Sequence, residues 1–249
     1  MSTGILYLIP NTLSPDTLGL DLPNILPSNV IKISSTLDYF IVENAKTARA
    51  HLKRIAQHTP LKFPLQQIEM AELNVKTAKN TLPSLLTPIL SGRNAGLISE
   101  AGVPAVADPG ADLVRLAHEK GIKICPLVGP SSLLLSLMAS GLNGQSFAFN
   151  GYLPTTHEER IRRIRALEDR SYRDHQTQLF IETPYRNEVL FKALCQTCRP
   201  STLLCIATNI SLADETIKTQ SIAAWKNQLK KGFLPDFQRK PTVFLFLAE

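Results

Sequence analysis

Long uncharged apolar runs are missing from this sequence. No stretch approaches the roughly 18 apolar residues that a membrane-spanning helix requires. Cysteine is scarce, with four in 249 residues, too few for a disulfide framework at this length. Cys195-Gln-Thr-Cys198 has the spacing of a zinc knuckle. It has no second close pair, and no histidine follows it, the last being His175, so a structural zinc site is not expected. The five histidines are scattered and form no metal motif. Several signature motifs are absent as well. There is no glycine-rich loop ending in Gly-Lys-Ser/Thr, no dinucleotide fingerprint and no nucleophile elbow around a serine. No internal repeat and no low-complexity linker breaks the chain. The first ten residues lack a basic segment ahead of their apolar run. They read as a first strand rather than a secretion signal, and a cytoplasmic location is expected.

What is present is the composition of a globular protein. Apolar residues make up 44% of the chain, enough to bury a sizeable core in one large or two smaller domains. The net charge of +6 favours an anionic partner, such as RNA or a phosphorylated metabolite.

Periodicity places the elements. Residues 4–9 form a strand, and 30–33, rich in β-branched residues, read as a second. A helix is expected from about 37 to 58, with Phe40, Ile41, Ala45, Ala48, Leu52, Ile55 and Ala56 as its apolar stripe. Lys46, Arg49, Lys53 and Arg54 then face solvent. A short strand falls near 65–70. A helix over 76–90 should break or kink near Pro83. After a strand at 96–98 comes a helix carrying Leu113, Val114, Leu116 and Ala117, ending at Lys120-Gly121. Strand 122–128 leads into a helix over 133–141 that is apolar nearly all round and should be buried. Alternating strands and helices up to this point predict a mostly parallel, helix-covered sheet. The pattern then changes. Strands are expected at 147–149, 178–181, 203–207, 217–219 and 242–247, with helices from Thr156-x-x-Glu159, a capping-box sequence, and over 187–195 and 222–230. The fold class is therefore α/β in two domains, 1–128 and 129–249, the second with a mixed sheet.

The stretch from Ala95 to Pro109 organises the chain. An apolar strand breaks into a loop holding Glu100, Gly102, Pro104, Asp108 and Pro109 before a helix begins. In an open parallel sheet such loops lie beyond the carboxyl ends of the strands, where ligands bind. Taken by itself, the loop reads equally as the floor of a pocket or as an ordinary turn. Other loops of this kind run over 10–16, 127–132, 182–186 and 207–213. A cleft between two halves is a common cofactor site.

Gly96-Leu97-Ile98-Ser99-Glu100-Ala101-Gly102-Val103-Pro104 followed by Asp108-Pro109-Gly110, then Pro126-Leu127-Val128-Gly129-Pro130-Ser131, resemble consecutive blocks of one family. So do Gly151-Tyr152-Leu153-Pro154, Glu182-Thr183-Pro184-Tyr185-Arg186 and Ala207-Thr208-Asn209-Ile210-Ser211. The family is the tetrapyrrole methylase superfamily of S-adenosylmethionine-dependent methyltransferases. Within it, the chain looks most like the branch that 2'-O-methylates a cytidine of small-subunit ribosomal RNA. The blocks occur in order over almost the whole chain. The resemblance implies two α/β domains, S-adenosyl-L-methionine folded in the cleft between them, no metal and a homodimer. It implies cofactor contacts from Pro10, Ser99, Glu100, Ala101, Gly102, Pro104, Leu127, Gly129, Pro130, Ser131, Thr183, Ala207, Asn209 and Leu212. Glu43, Glu100 and Tyr185 are the catalytic candidates, with Asp108 behind them and Arg186 able to meet phosphate.

Departures fall on the substrate side. The loop Pro10-Asn11-Thr12-Leu13-Ser14-Pro15-Asp16 contains no glycine, where relatives carry one or more. Glu43-Asn44-Ala45-Lys46 stands where the ribosomal RNA branch has Glu-Asp-Thr-Arg, and Ala71 replaces a histidine ahead of Glu72. The expected function is methylation of a ribose in ribosomal RNA. The alternatives are methylation of a tetrapyrrole-like or other metabolite, and RNA or ribosome binding without catalysis. The arginines at 160, 162, 163 and 165 offer contacts to an RNA backbone.

Overall fold

The computed structural model describes residues 3–14 and 22–249. Contacts divide the chain into two compact units, Met1–Ser131 and Ser132–Glu249.

In the first unit β1 (Ile5–Ile9) is followed by α1 (Ser28–Thr36), β2 (Tyr39–Val42) and α2 (Ala45–Ala56). Then come β3 (Glu69–Glu72), α3 (Leu82–Leu90), β4 (Ala95–Ile98), α4 (Gly110–Glu119) and β5 (Lys123–Pro126). The five strands lie in the order β3-β2-β4-β1-β5, and every pairing is parallel. Parallel sheets are covered on both faces. Accordingly one core packs Ile9, Leu26, Phe40, Leu52 and Ile55, and another packs Leu6, Ile41, Leu86, Leu97 and Leu113.

Two sequence expectations fail here. Residues 30–33 lie inside helix α1, and the long helix expected over 37–58 is strand β2 followed by α2. In α1, Val30, Ile31, Ser34 and Ser35 are buried, a helical spacing that β-branched side chains disguised as a strand. In β2 all four residues are buried. A fully buried parallel strand has no alternation to reveal it. Asn44 separates β2 from α2, its side chain accepting from the N–H of Lys46 at 2.9 Å as an N-cap. The break expected near Pro83 is present: a 3-10 turn over Lys79–Thr81 ends there and the helix starts. α3 opens with Pro83 in its first turn, where the missing N–H is not needed. The strand expected near 65–70 is a 3-10 turn over 65–67 and then β3.

The second unit holds α5 (Ser132–Ser140), β6 (Phe147–Tyr152), α6 (His157–Asp174), β7 (Thr177–Glu182) and α7 (Asn187–Thr197). β8 (Leu203–Thr208), β9 (Thr216–Ser221), α8 (Ile222–Lys230) and β10 (Thr242–Leu247) complete it. Its sheet runs β6-β7-β10-β8-β9. The β6–β7 pair is parallel and the others are antiparallel, a mixed sheet. Its core is aromatic. Phe191 meets Trp225 edge-on at 5.4 Å between ring centroids, and Phe180 stacks on Phe244 at 6.0 Å. Trp225 is buried and donates its indole N–H to the Leu204 carbonyl at 2.9 Å. Cys195 and Cys198 are buried in the same core, and burial pushes the Cys195 thiol up to about 12.

Helix α5 differs from expectation, since Leu134 and Met138 are 53% and 79% exposed. The capping box at Thr156 does not form either. Its hydroxyl bonds the Glu159 carboxylate at 2.5 Å instead of a backbone N–H. No helix among the described residues is long and apolar enough to cross a membrane.

Candidate functional site

The carboxyl ends of β1, β2, β4 and β5 bring the expected loops of the first unit together. Backbone hydrogen bonds carry the chain past the strand ends. Glu43 N–H donates to the Ile98 carbonyl at 3.2 Å, and Leu127 N–H to that of Leu8 at 3.0 Å. The loop after β1 is tied to the loop after β4 more closely still. Asn11 N–H donates to the Gly102 carbonyl at 2.8 Å, and Gly102 N–H to that of Thr12 at 3.3 Å. The buried Asn11 amide donates to the Ser99 and Glu100 carbonyls at 3.3 and 3.0 Å. Residues 15 and 16 of the expected loop lie outside the described residues.

Close approach here does use glycine, but on the facing loops. A Cβ at Gly129 would lie 2.1 Å from the Pro10 Cβ. At Gly102 the backbone takes φ +67°, and a Cβ would stand 3.2 Å from Leu13 and 3.3 Å from the Pro130 carbonyl. The glycine-free first loop is thus seated against Gly102 and Gly129.

A small recess opens on this edge, lined among others by Glu43, Ser99, Pro104, Asp108 and Gly110. Its two carboxylates are held differently. Asp108 accepts from Ala105 N–H at 2.8 Å and from Gly110 N–H at 2.7 Å. It pins a loop in which Ala105 and Ala107 take φ of 65° and 61°, a left-handed conformation unfavourable to alanine. Glu43 accepts from Glu100 N–H at 3.0 Å. Burial raises the Glu43 carboxyl above the ordinary carboxylate range. The Glu100 N–H pulls it down, and the negative charges of Glu100 and Asp108 add to the rise. Burial raises Asp108 too, against the hydrogen bonds it accepts. The Glu100 carboxylate is exposed and accepts from the Thr47 hydroxyl at 2.9 Å. Among the catalytic candidates, then, Glu43 and Glu100 meet, and Glu43 and Asp108 line the recess.

Tyr185 belongs to the second unit and is 85% exposed. In that unit the register β7–β10–β8 sets Glu182, Thr242 and Thr208 side by side. Thr183, Ala207 and Asn209 therefore share one sheet edge. Asn209, at φ 49°, donates to both Asp214 carboxylate oxygens at 3.0 Å. Lys240 bridges Asp214 at 2.8 Å and Asp236 at 3.0 Å. Arg186, expected to be able to meet phosphate, pairs with the buried Glu182 at 2.8 Å. Among the described residues no cluster of His, Cys, Asp or Glu could hold a metal ion.

The sequence reading missed Asn11 and Arg54. Arg54, assigned to solvent, is half-buried and donates to the Thr12 hydroxyl at 3.1 Å. The signal for Asn11 was a lone amide directly after a strand, where a glycine was sought.

This architecture has close counterparts. The methyltransferase CobJ superposes with a TM-score of 0.61 at 15% identity, covering 99% of this chain and 95% of CobJ. Cobalt precorrin-4 methyltransferase CbiF gives 0.56 at 13%, covering 98% and 94%. Uroporphyrin-III-C-methyltransferase from Thermus thermophilus gives 0.53 at 17%, covering 98% and 92%. The chain shares the fold of these three proteins, the α/β fold that its motifs implied. Its sequence is in turn similar to proteins named ribosomal RNA small subunit methyltransferase I. That of Mesorhizobium japonicum is 33% identical over 142 residues, 57% of this chain and 47% of the relative. That of Streptococcus pyogenes serotype M1 is 30% identical over 188 residues, 74% and 58%. That of Xylella fastidiosa is 27% identical over 179 residues, 72% and 62%. The chain thus spans about half to three-fifths of the length of these relatives. No protein-family profile matches it.

Proposed function

We propose that this chain is an S-adenosylmethionine-dependent methyltransferase that methylates the 2'-oxygen of a ribose in ribosomal RNA. The observation that carries the reading is its 27–33% identity to proteins named ribosomal RNA small subunit methyltransferase I. A recess at the carboxyl edge of a parallel sheet supports it, because ligands of such folds bind there.

The residues present fit a cationic nucleoside cofactor. Two carboxylates, Glu43 and Asp108, line the recess. The recess is small beside a complete ligand pocket, so in this reading the edge takes part of the cofactor. Bound S-adenosylmethionine would supply a methyl group on a positively charged sulfur. Pro10, residues Ser99 to Pro104 apart from Val103, Leu127 and Gly129 to Ser131 are the proposed contacts in the first unit. Thr183, Ala207, Asn209 and Leu212 are those in the second. In this reading Glu43 takes the proton of the acceptor hydroxyl, and its raised carboxyl makes it a better base than one in water. Glu100 positions Glu43 through its backbone N–H. Tyr185, exposed, serves the RNA side. The enzyme is a cytoplasmic homodimer in this reading. Leu134 and Met138, one turn apart and uncovered on α5, fit self-association.

The test is incubation with labelled donor and three acceptors: undermethylated small ribosomal subunits, free ribosomal RNA and a metabolite pool. Label in an RNA ribose is expected. Label confined to metabolites overturns the substrate, and no donor binding at millimolar concentration overturns the enzyme.

A further inference from the structure

Helix α2 carries Lys46, Arg49, Lys53 and Arg54 and no acidic residue. Lys46, Arg49 and Lys53 are exposed, and at spacings of three and four they fall on one face. Over seven residues at 1.5 Å each they span about 10 Å. Among the described residues no carboxylate pairs with any of the three. The face is unfavourable to the helix itself. Lys46 sits in the first turn, where the positive end of the helix dipole disfavours cations. The pairs Lys46–Arg49 and Arg49–Lys53 set like charges against each other. An anionic partner would relieve both.

The stripe also starts at the candidate site. Lys46 follows Glu43 by three residues, and the intervening turn is anchored by Asn44, which caps the helix, and by Thr47 on Glu100. The arginines of α6 are a weaker surface. Arg160 is buried and donates to the Thr155 carbonyl at 3.1 Å. Arg163 is committed to the Asn150 side chain at 3.2 Å, and Arg170 and Arg173 pair with Asp174. Acidic Glu158, Glu159, Glu168, Asp169 and Asp174 share the helix.

We infer that the Lys46–Arg49–Lys53 face of α2 is the track that holds the phosphate backbone of the RNA substrate and leads it to the recess beside Glu43. The inference rests on the ribosomal RNA reading above. Because it concerns phosphates, it confers affinity without sequence preference.

The test compares the wild-type protein with K46A/R49A/K53A and with R162A/R165A, two exposed arginines of α6. Binding of small-subunit ribosomal RNA is measured over a series of salt concentrations, with donor binding by calorimetry and a thermal melt on each protein. Three lost contacts to a single strand should flatten the slope of log affinity against log salt by about 2, and weaken binding on the order of tenfold or more near 0.1 M salt. Donor affinity should not move, the melting temperature should hold or rise as the unfavourable charges leave the helix, and the α6 variant should keep the wild-type slope. If the wild type binds RNA and the α2 variant keeps its slope, or the α6 variant loses as much, the track is overturned while the proposed function stands. If the wild type binds no RNA but still binds donor, the RNA substrate falls and the track with it.

Discussion

Glu43 takes up a proton more readily than a carboxylate in water because burial penalises its charged form. The sign of the consequence is fixed. A carboxyl raised in the folded state supports the fold at low pH, and that support fades as pH climbs through its folded-state value. Glu43→Gln keeps an acceptor for the Glu100 N–H and removes the charge. Urea midpoints of the two proteins should coincide below the ordinary carboxylate range and separate in favour of the variant toward neutrality. If Glu43 is the base, methyl transfer by the variant should drop on the order of 100-fold with donor affinity unchanged. Gly129 makes a second residue-scale prediction. Any side chain there collides with Pro10, so Gly129→Ala must push the loops after β1 and β5 apart. A loss of about 1–3 kcal/mol is expected, as for overpacked cores, read from urea unfolding.

The loop between β4 and α4 is where element-scale strain is held. Ala107 is exposed and left-handed, so glycine there gives up no buried surface. Relief of the left-handed strain, less the added freedom of the unfolded chain, predicts a gain of about 0.5 kcal/mol for Ala107→Gly. Asp108→Ala does the opposite, leaving the Ala105 and Gly110 N–H groups without their acceptor, at a loss of about 1–3 kcal/mol. Denaturant melts of the two variants should move in opposite directions. The sequence made this loop readable because glycine, proline and carboxylate are confined to a few turn types. It made α8 and β10 readable too, since Ser221 caps the one, accepting from Ala224 N–H at 3.2 Å, and an unbroken apolar run forms the other. β2 was hidden because a strand buried on both faces has the composition of a buried helix. The Asn11 and Arg54 contacts were hidden because each joins residues far apart in the chain. Periodicity carries no trace of such pairs.

At the scale of the whole molecule, the two units each present loops at one sheet edge, and the proposed donor contacts are divided between them. The chain provides its own reporter for that division. Its single tryptophan, Trp225, lies in the core of the second unit, so its fluorescence follows the unfolding of that unit, whereas far-ultraviolet circular dichroism follows both. A ligand that binds only folded protein stabilises what it touches by about 2.7 kcal/mol at a concentration 100 times its dissociation constant. For units of this size that is a shift of several degrees in melting temperature. If Thr183, Ala207, Asn209 and Leu212 contact the donor, the fluorescence transition should rise with donor as far as the dichroism transition does. Asn209→Ala, which also loses the bonds to Asp214, should then lower donor affinity along with stability, and saturating donor should recover less of the fluorescence shift than in wild type. A fluorescence midpoint that stays fixed while the dichroism midpoint climbs would confine the donor to the loops around Gly102 and Gly129.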